Sequence, residues 1–220
     1  MTHNNSRNDV RHVFSLVGTS NKHTQDLINK ESNKYGDIVQ QNFNDTYNNL
    51  TLKMLMMIQW STEYCNNARY VVKIDSDNFV NLFNVKEVIN QANSDEKLMG
   101  KCHNNVKPIR SLKSKWSMTR QQYQQDHYPP FCLGPRYVIP MKVASAVLRV
   151  ASDTPMIRLE DVYLGMLLHK TPYSIKTIQI DRGPGFSTHQ SCELAKRTVS
   201  YNTHGIQSVS MTKVWNIKSR

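Results

Sequence analysis

The segment that most constrains the fold is residues 68–74, with the sequence ARYVVKI. It is largely β-branched or aromatic and almost continuously hydrophobic, which is typical of a strand buried in a parallel sheet. Helical patterns lie on both sides of it, one ending near Tyr64 and one covering residues 81–92. This alternation of strands and helices predicts an α/β fold with a mostly parallel central sheet flanked by helices.

The remaining pattern fits a single domain. Residues 1–9 are polar and are predicted to be a disordered tail, and residues 10–217 to form one domain. Residues 103–135 are rich in Lys, Gln, Pro and Tyr, and a segment this long in a compact domain is often a functional loop. The further predicted strands cover residues 10–18, 37–39, 97–101, 115–118, 137–139 and 173–180. The further predicted helices cover residues 23–35, 46–64, 141–152 and 160–169.

Composition and charge narrow the function classes. The chain has 28 Lys and Arg against 17 Asp and Glu, a net charge of +11, which suits nucleic acid, an anionic membrane or a phosphate-bearing small molecule. No CxxC pair, aromatic ribonucleoprotein motif or recognition helix is visible, so a nucleic-acid-binding domain ranks last. No run of eighteen apolar residues is present, so the sequence predicts no membrane span in this chain.

The first candidate site is Asp75-Ser76-Asp77, directly after the predicted strand. Ligands of open α/β sheets bind at the carboxyl ends of strands, and a turn can direct both carboxylates toward one cation. Their hard oxygens suit Mg²⁺ or Mn²⁺, which bridges a diphosphate. The simpler alternative is an ordinary polar turn after a strand.

Two further segments are candidates. Glu160 and Asp161 open a predicted helix, where they either act as a catalytic base or only stabilise the helix start. Burial would raise the pKa of such a base, whereas the helix terminus would lower it. Residues 128–134, YPPFCLG, predict a rigid turn that either shapes a sugar pocket or is simply held by a disulfide.

The order of these motifs resembles one enzyme family. WSTEYC, KIDSDNFVN, KPIR, KSKW, YPPFCLG and RLEDVYLGMLLH follow one another as in the inverting β-1,3-hexosyltransferases of glycosyltransferase family 31. The upstream VFSLVG and ESNKYGDIVQQNFNDTYNNLTLK and the late Cys192, His204 and Trp215 are also similar. The resemblance covers about residues 11–217.

The resemblance implies a GT-A type enzyme that uses a UDP-sugar and Mn²⁺. By position, Asp75, Asp77 and His204 would bind the metal, with Ser76 between the two aspartates. Asp161 would be the general base, and Glu160 is the second choice. Galactose, N-acetylglucosamine or N-acetylgalactosamine would pass to a glycoprotein or glycolipid acceptor in a β-1,3 linkage. The sugar pocket is expected at Trp116, Tyr128, Cys132 and Gly134.

The resemblance also implies a cellular location, and this sequence departs from the family pattern at several positions. Family members are anchored in the Golgi membrane, and their anchor, stem, first strand and Arg-rich segment are expected before Asp9 but do not appear in this sequence. Pro135 and Arg136 stand where the family tends to have glycines. A non-catalytic relative that binds glycans or partner proteins is therefore kept as the alternative function.

A secretory setting adds two expectations. Four cysteines permit two disulfides, and Cys65 is expected to pair with Cys132 because each flanks a candidate site motif. Glycosylation sequons occur at Asn4, Asn44 and Asn49, and the last two are the expected glycan sites.

Overall fold

The structure is a computed structural model that describes residues 10–178 and 200–202. A 3₁₀ turn, Tyr47–Asn49, leads into the second helix. The helices are α1 (Lys22–Tyr35), α2 (Leu50–Tyr64), α3 (Leu82–Ala92), α4 (Met141–Ala151) and α5 (Glu160–His169). The strands are β1 (Phe14–Gly18), β2 (Ile38–Asn44), β3 (Tyr70–Ile74), β4 (Asn78–Val80), β5 (Lys97–His103), β6 (Phe131–Pro140), β7 (Ser174–Thr177) and β8 (Ser200–Asn202).

The α/β class predicted from the sequence is confirmed, and the sheet pairing is mixed. The central sheet has the order β3-β6-β5-β7, with β6 antiparallel to both of its neighbours and β5 parallel to β7. β1 and β2 form a separate parallel pair, and β4 pairs with β8 in antiparallel. The central sheet is thus less parallel than predicted, because residues 104–130 join β5 to β6 without a crossover helix and β6 returns in the opposite direction.

Helices cover both faces of the central sheet. On one face, α2, α4 and α5 enclose the larger core, which includes Leu98, Tyr137 and Ile139. On the other face, α3 packs through Val85 and Ile89 against the next residues along β5 and β6. Neighbouring residues of one strand therefore face opposite cores, as expected for a sheet buried on both sides.

Helix α5 lies deepest in the larger core. Six of its ten residues are buried. A Cβ added at Gly165 would lie 2.7 Å from the Pro130 carbonyl oxygen and 2.8 Å from the Phe131 Cβ, so a glycine allows this helix to touch the start of β6. The close packing fixes the first turn of α5, and with it Glu160 and Asp161, against β6.

Two local predictions were wrong. Phe131 to Gly134 belong to the long strand β6 instead of a separate rigid turn, because Phe131 and Cys132 pair with His103 and Cys102 of β5. Residues 115–118 form no strand and make one isolated bridge, between Ile109 and Ser117. A single bridge leaves the segment without a continuous partner, so it remains part of the loop.

The predicted Cys65–Cys132 disulfide was also wrong. Cys132 is bonded to Cys102, and Cys65 is a free thiol at the end of α2. Cys102 and Cys132 occupy directly opposed positions on β5 and β6, which brings their sulfur atoms together. Strand pairing, which the cysteine spacing does not reveal, decided the bond. Within the described ranges, no helix is long and apolar enough to cross a membrane.

Candidate functional site

The turn after β3 places Asp75 and Asp77 together at the end of the sheet. The Asp75 N–H donates a hydrogen bond of 3.0 Å to the Pro135 carbonyl on β6, and the Asn78 N–H donates one of 3.0 Å to the Asp75 carbonyl. The Asn78 side-chain amide donates to Asp77 Oδ1 at 2.7 Å. The two carboxylates and the exposed Ser76 therefore belong to one short turn fixed to β6.

Lys73 connects this turn to the second pair of acids. Its ammonium group donates hydrogen bonds to the Asp75 carboxylate and the Gly134 carbonyl, and it lies 3.9 Å from Glu160 Oε1. The side chain is only 15% exposed, so these contacts compensate the burial of its charge. Sequence reasoning missed this residue, although a single lysine inside an apolar strand was the available signal.

Glu160 and Asp161 lie at the start of α5 with shifted proton affinities. Asp161 Oδ1 accepts a hydrogen bond of 2.8 Å from the Val162 N–H, and Oδ2 accepts one of 3.4 Å from the Gly134 N–H. Burial raises the pKa of Asp161 above that of an ordinary aspartate, although these N–H groups oppose the shift. Burial, then the charge of Asp161, raises the pKa of Glu160, against the opposing charge of Lys73. Burial thus outweighs the helix terminus.

Gly134 permits the close approach of β6 to the acids. A Cβ at this position would lie 2.1 Å from Glu160 Oε1 and 3.1 Å from its Cδ. Any other residue would displace the Glu160 carboxylate from its place between Gly134 and Lys73. Gly134, predicted from the resemblance to belong to the sugar pocket, is in contact with the acidic pair.

Replacing Gly134 by alanine is therefore expected to destabilise the fold by about 1–3 kcal/mol, as overpacking does elsewhere. The added methyl group drives Glu160 away from Lys73. The free energy of unfolding in urea measures the effect. In a Glu160→Ala background the same substitution should cost much less, because the clashing carboxylate is gone. An equal cost in both backgrounds would contradict this contact.

The residues around Asp75 and Asp77 fit a divalent cation in donor type. Two carboxylates on one turn supply hard oxygens of the kind that Mn²⁺ or Mg²⁺ accepts. Arg136 also lies here: burial lowers its pKa, while the charges of Asp77 and Asp75 act in the opposite direction. Over residues 10–178 and 200–202, no three acidic, His or Cys side chains form a metal cluster. His204, the third predicted ligand, lies outside the described residues.

The predicted sugar-pocket residues lie in different surroundings. Trp116 is 51% exposed on the loop between β5 and β6. Tyr128 is buried, its hydroxyl has no hydrogen-bond partner among the residues that the structure describes, and burial is the main cause that raises its pKa to about 12. Cys132 is buried in the disulfide. Of the predicted glycan sites, Asn44 is exposed, and Asn49 is half-buried with its amide donating to the Asn44 carbonyl at 2.8 Å.

Comparison with known proteins connects this arrangement to one family. The family model described as galactosyltransferase matches residues 1–179. Human beta-1,3-galactosyltransferase 5 is 40% identical over 160 residues, which are 72% of this chain and 52% of that protein. Mouse beta-1,3-galactosyltransferase 1 is 32% identical over 207 residues, which are 93% of this chain and 62% of that protein.

The chain spans about half the length of the type 5 relatives that it matches. Among solved structures, a glycosyltransferase involved in the glycosylation of the major capsid of PBCV-1 aligns with 96% of this chain and 100% of its own. Its identity is 11% and its TM-score 0.37, too distant to inform the site. The mixed α/β architecture is consistent with the expected GT-A type. On the match over most of its length, the chain belongs to the galactosyltransferase family.

Proposed function

We propose that this protein transfers galactose from UDP-galactose to the 3-hydroxyl of a glycan acceptor, with inversion to a β-linkage. The observation that carries the proposal is the convergence of the Asp75–Asp77 turn and the Glu160–Asp161 pair on Lys73 and Gly134. The names of the relatives favour galactose over the N-acetylhexosamines as the donor sugar.

On the donor side, Asp75 and Asp77 would hold Mn²⁺ together with His204. A bound divalent cation supplies positive charge against the diphosphate as UDP departs. Lys73 keeps the Asp75 carboxylate in position through its hydrogen bond. Ser76 is exposed within the same turn, where its hydroxyl can meet the donor.

On the acceptor side, Asp161 takes the proton of the attacking hydroxyl. Its raised pKa increases its proton affinity, which suits a general base. The N–H groups of Val162 and Gly134 fix the orientation of its carboxylate. The acceptor oxygen then bonds to the anomeric carbon on the face opposite UDP, the bond to the phosphate oxygen breaks, and UDP leaves with the electron pair. Glu160 lies beside the Lys73 ammonium group, so its negative charge partly balances the positive charge of Lys73 in the site.

We further propose that the protein acts in the Golgi lumen and is held there by a membrane anchor, as members of glycosyltransferase family 31 are. The Cys102–Cys132 disulfide supports an oxidising compartment. The exposure of Asn44 supports its use as a glycan site in that compartment.

A second candidate is a relative that binds glycans or partner proteins without catalysis. One observation favours it. Arg136 donates from Nη1 to the Asn78 side-chain oxygen at 2.5 Å, so a guanidinium is already bound to the turn whose carboxylates would hold a metal. Such a cation competes with Mn²⁺ for the same oxygens.

Titration of the oxidatively folded chain with UDP, with and without Mn²⁺, separates the two candidates. We expect Mn²⁺-dependent binding that weakens at least tenfold in an Asp77→Ala variant, because half of the carboxylate ligands are lost. Asp26→Ala, at an exposed position on α1, is the matched control and should bind like the unchanged protein. UDP binding that ignores both Mn²⁺ and Asp77 would reject the proposed donor site.

A further inference from the structure

A pocket of about 510 Å³ lies beside residues 156–158, the segment that leads into α5. We call it the Arg158 pocket. Its lining combines three polar and three apolar side chains, so the pocket is neither purely hydrophobic nor strongly charged. The lining residues are Asn48, Met118, Gln122, Met156, Ile157 and Arg158.

Hydrogen bonds join the three segments that form this pocket. Arg158 donates from Nη1 to the Lys115 carbonyl at 2.8 Å and from Nη2 to the Ser117 carbonyl, which ties the loop between β5 and β6 to the segment before α5. The buried Thr51 hydroxyl, in the first turn of α2, donates to the Ile157 carbonyl at 2.6 Å. The pocket walls are thus positioned by the fold before any ligand arrives.

Two exposed aromatic residues adjoin the segments that form the pocket. Tyr47 is 43% exposed and Trp116 is 51% exposed. The pKa of Tyr47 is raised, first by burial and then by the charges of Glu160 and Asp161, while Arg158 and a hydrogen bond with Trp116 act in the opposite direction. Tyr47 directly precedes the lining residue Asn48, and Trp116 lies between Lys115 and Ser117, whose carbonyls accept hydrogen bonds from Arg158. Both aromatic residues therefore lie beside the pocket.

A hexopyranoside matches these surroundings. Its ring has an apolar C–H face that packs on an aromatic ring, and hydroxyl groups that need amide partners such as Asn48 and Gln122. Arg158 directs both terminal nitrogens at backbone carbonyls, so it acts as part of the wall. The neighbouring carboxylates disfavour a phosphate or a carboxylate ligand at this place.

We infer that the Arg158 pocket, with Tyr47 and Trp116 at its edge, binds a neutral hexopyranoside of the acceptor glycan. This inference deepens the proposed function and rests on it, because it takes Asp161 as the base that faces the bound acceptor. It assigns to Tyr47, Asn48 and Gln122 a role in acceptor choice that neither sequence motif nor family membership gives them.

Ligand-observed NMR with the methyl β-glycosides of glucose, galactose and N-acetylglucosamine tests the inference on the oxidatively folded chain. We expect saturation transfer to at least one glycoside, and at least fivefold weaker binding in Trp116→Ala, with partial rescue in Trp116→Phe. Leu112→Ala is the matched control, because Leu112 is 81% exposed on the same loop. Circular dichroism and thermal unfolding confirm that each variant is folded.

UDP binding, measured on the same samples, separates this inference from the proposed function. Loss of glycoside binding in Trp116→Ala with unchanged UDP binding supports both. If glycoside binding depends on Trp116 but the chain binds no UDP, the inference about the pocket is supported and the proposed transferase activity is rejected. Absence of glycoside binding, or equal binding in Trp116→Ala and Leu112→Ala, overturns the inference whatever UDP does.

Discussion

Replacing Asp161 by asparagine is expected to lower kcat for galactosyl transfer by about 10²–10⁴-fold, the range that a positioned general base contributes. Asparagine keeps the size of the side chain and one of the two oxygens, which can still accept the 2.8 Å hydrogen bond from the Val162 N–H, and it gives up the weaker 3.4 Å bond from the Gly134 N–H. It cannot take the proton of the attacking hydroxyl. Steady-state kinetics with UDP-galactose and an acceptor glycoside measure the loss.

Glu160→Gln is the matched control for this substitution. Glu160 lies 3.9 Å from the Lys73 ammonium group. A glutamine at this position removes one negative charge from the site and leaves the Asp161 carboxylate in place. The loss of kcat should therefore be clearly smaller than in Asp161→Asn. UDP binding should survive in both variants. A larger loss from Glu160→Gln than from Asp161→Asn would exchange the roles of the two acids.

The pH dependence of kcat follows from the raised pKa of Asp161. As the proposed general base, the Asp161 carboxylate would act only when deprotonated, so activity should fall as pH drops through a value above the ordinary aspartate pKa of about 4. The acidic limb should be absent from the residual activity of Asp161→Asn. Stability depends on pH in the opposite direction. Because the folded-state pKa of Asp161 is raised, its ionised carboxylate lowers the free energy of unfolding at pH values above its unfolded-state pKa. The asparagine variant should therefore lose little stability at pH 7.

Removing the Cys102–Cys132 disulfide is expected to lower the free energy of unfolding by about 3–4 kcal/mol. The two cysteines are 30 residues apart in sequence. A crosslink that closes a loop of this length lowers the conformational entropy of the unfolded chain, which stabilises the fold by roughly 3–4 kcal/mol. Urea unfolding of a Cys102→Ala, Cys132→Ala variant measures the loss. The unchanged protein with its thiols reduced gives a second measurement without the cavities that alanine leaves.

Cys65→Ser is the control, because Cys65 forms no disulfide. We expect it to change stability by less than about 1 kcal/mol. Cys132 lies two residues before Gly134 on β6, so reduction should also loosen the contact of Gly134 with the acidic pair. A loss of stability on Cys65→Ser that equals the effect of reduction would contradict the observed pairing.

The sequence alone located most of the elements, because hydrophobic periodicity depends on which residues face the core. The predicted strands before Asp75 and near Lys97, and the helices from residues 141 and 160, agree with β3, β5, α4 and α5. The carboxylates of Asp75, Asp77, Glu160 and Asp161 were likewise visible as acids at element ends. The family was indicated by the order of these motifs, and the comparisons confirm it.

The tertiary structure alone decided which of these residues meet. Strand order placed β6 between β3 and β5, which paired Cys132 with Cys102 and set Gly134 against Glu160. Lys73 joined the two acidic pairs for the same reason, since its partners are distant in sequence. Local patterns report burial and turn chemistry, whereas pairing between strands depends on contacts across the whole sheet. The Arg158 pocket also arises only where three separate segments are joined.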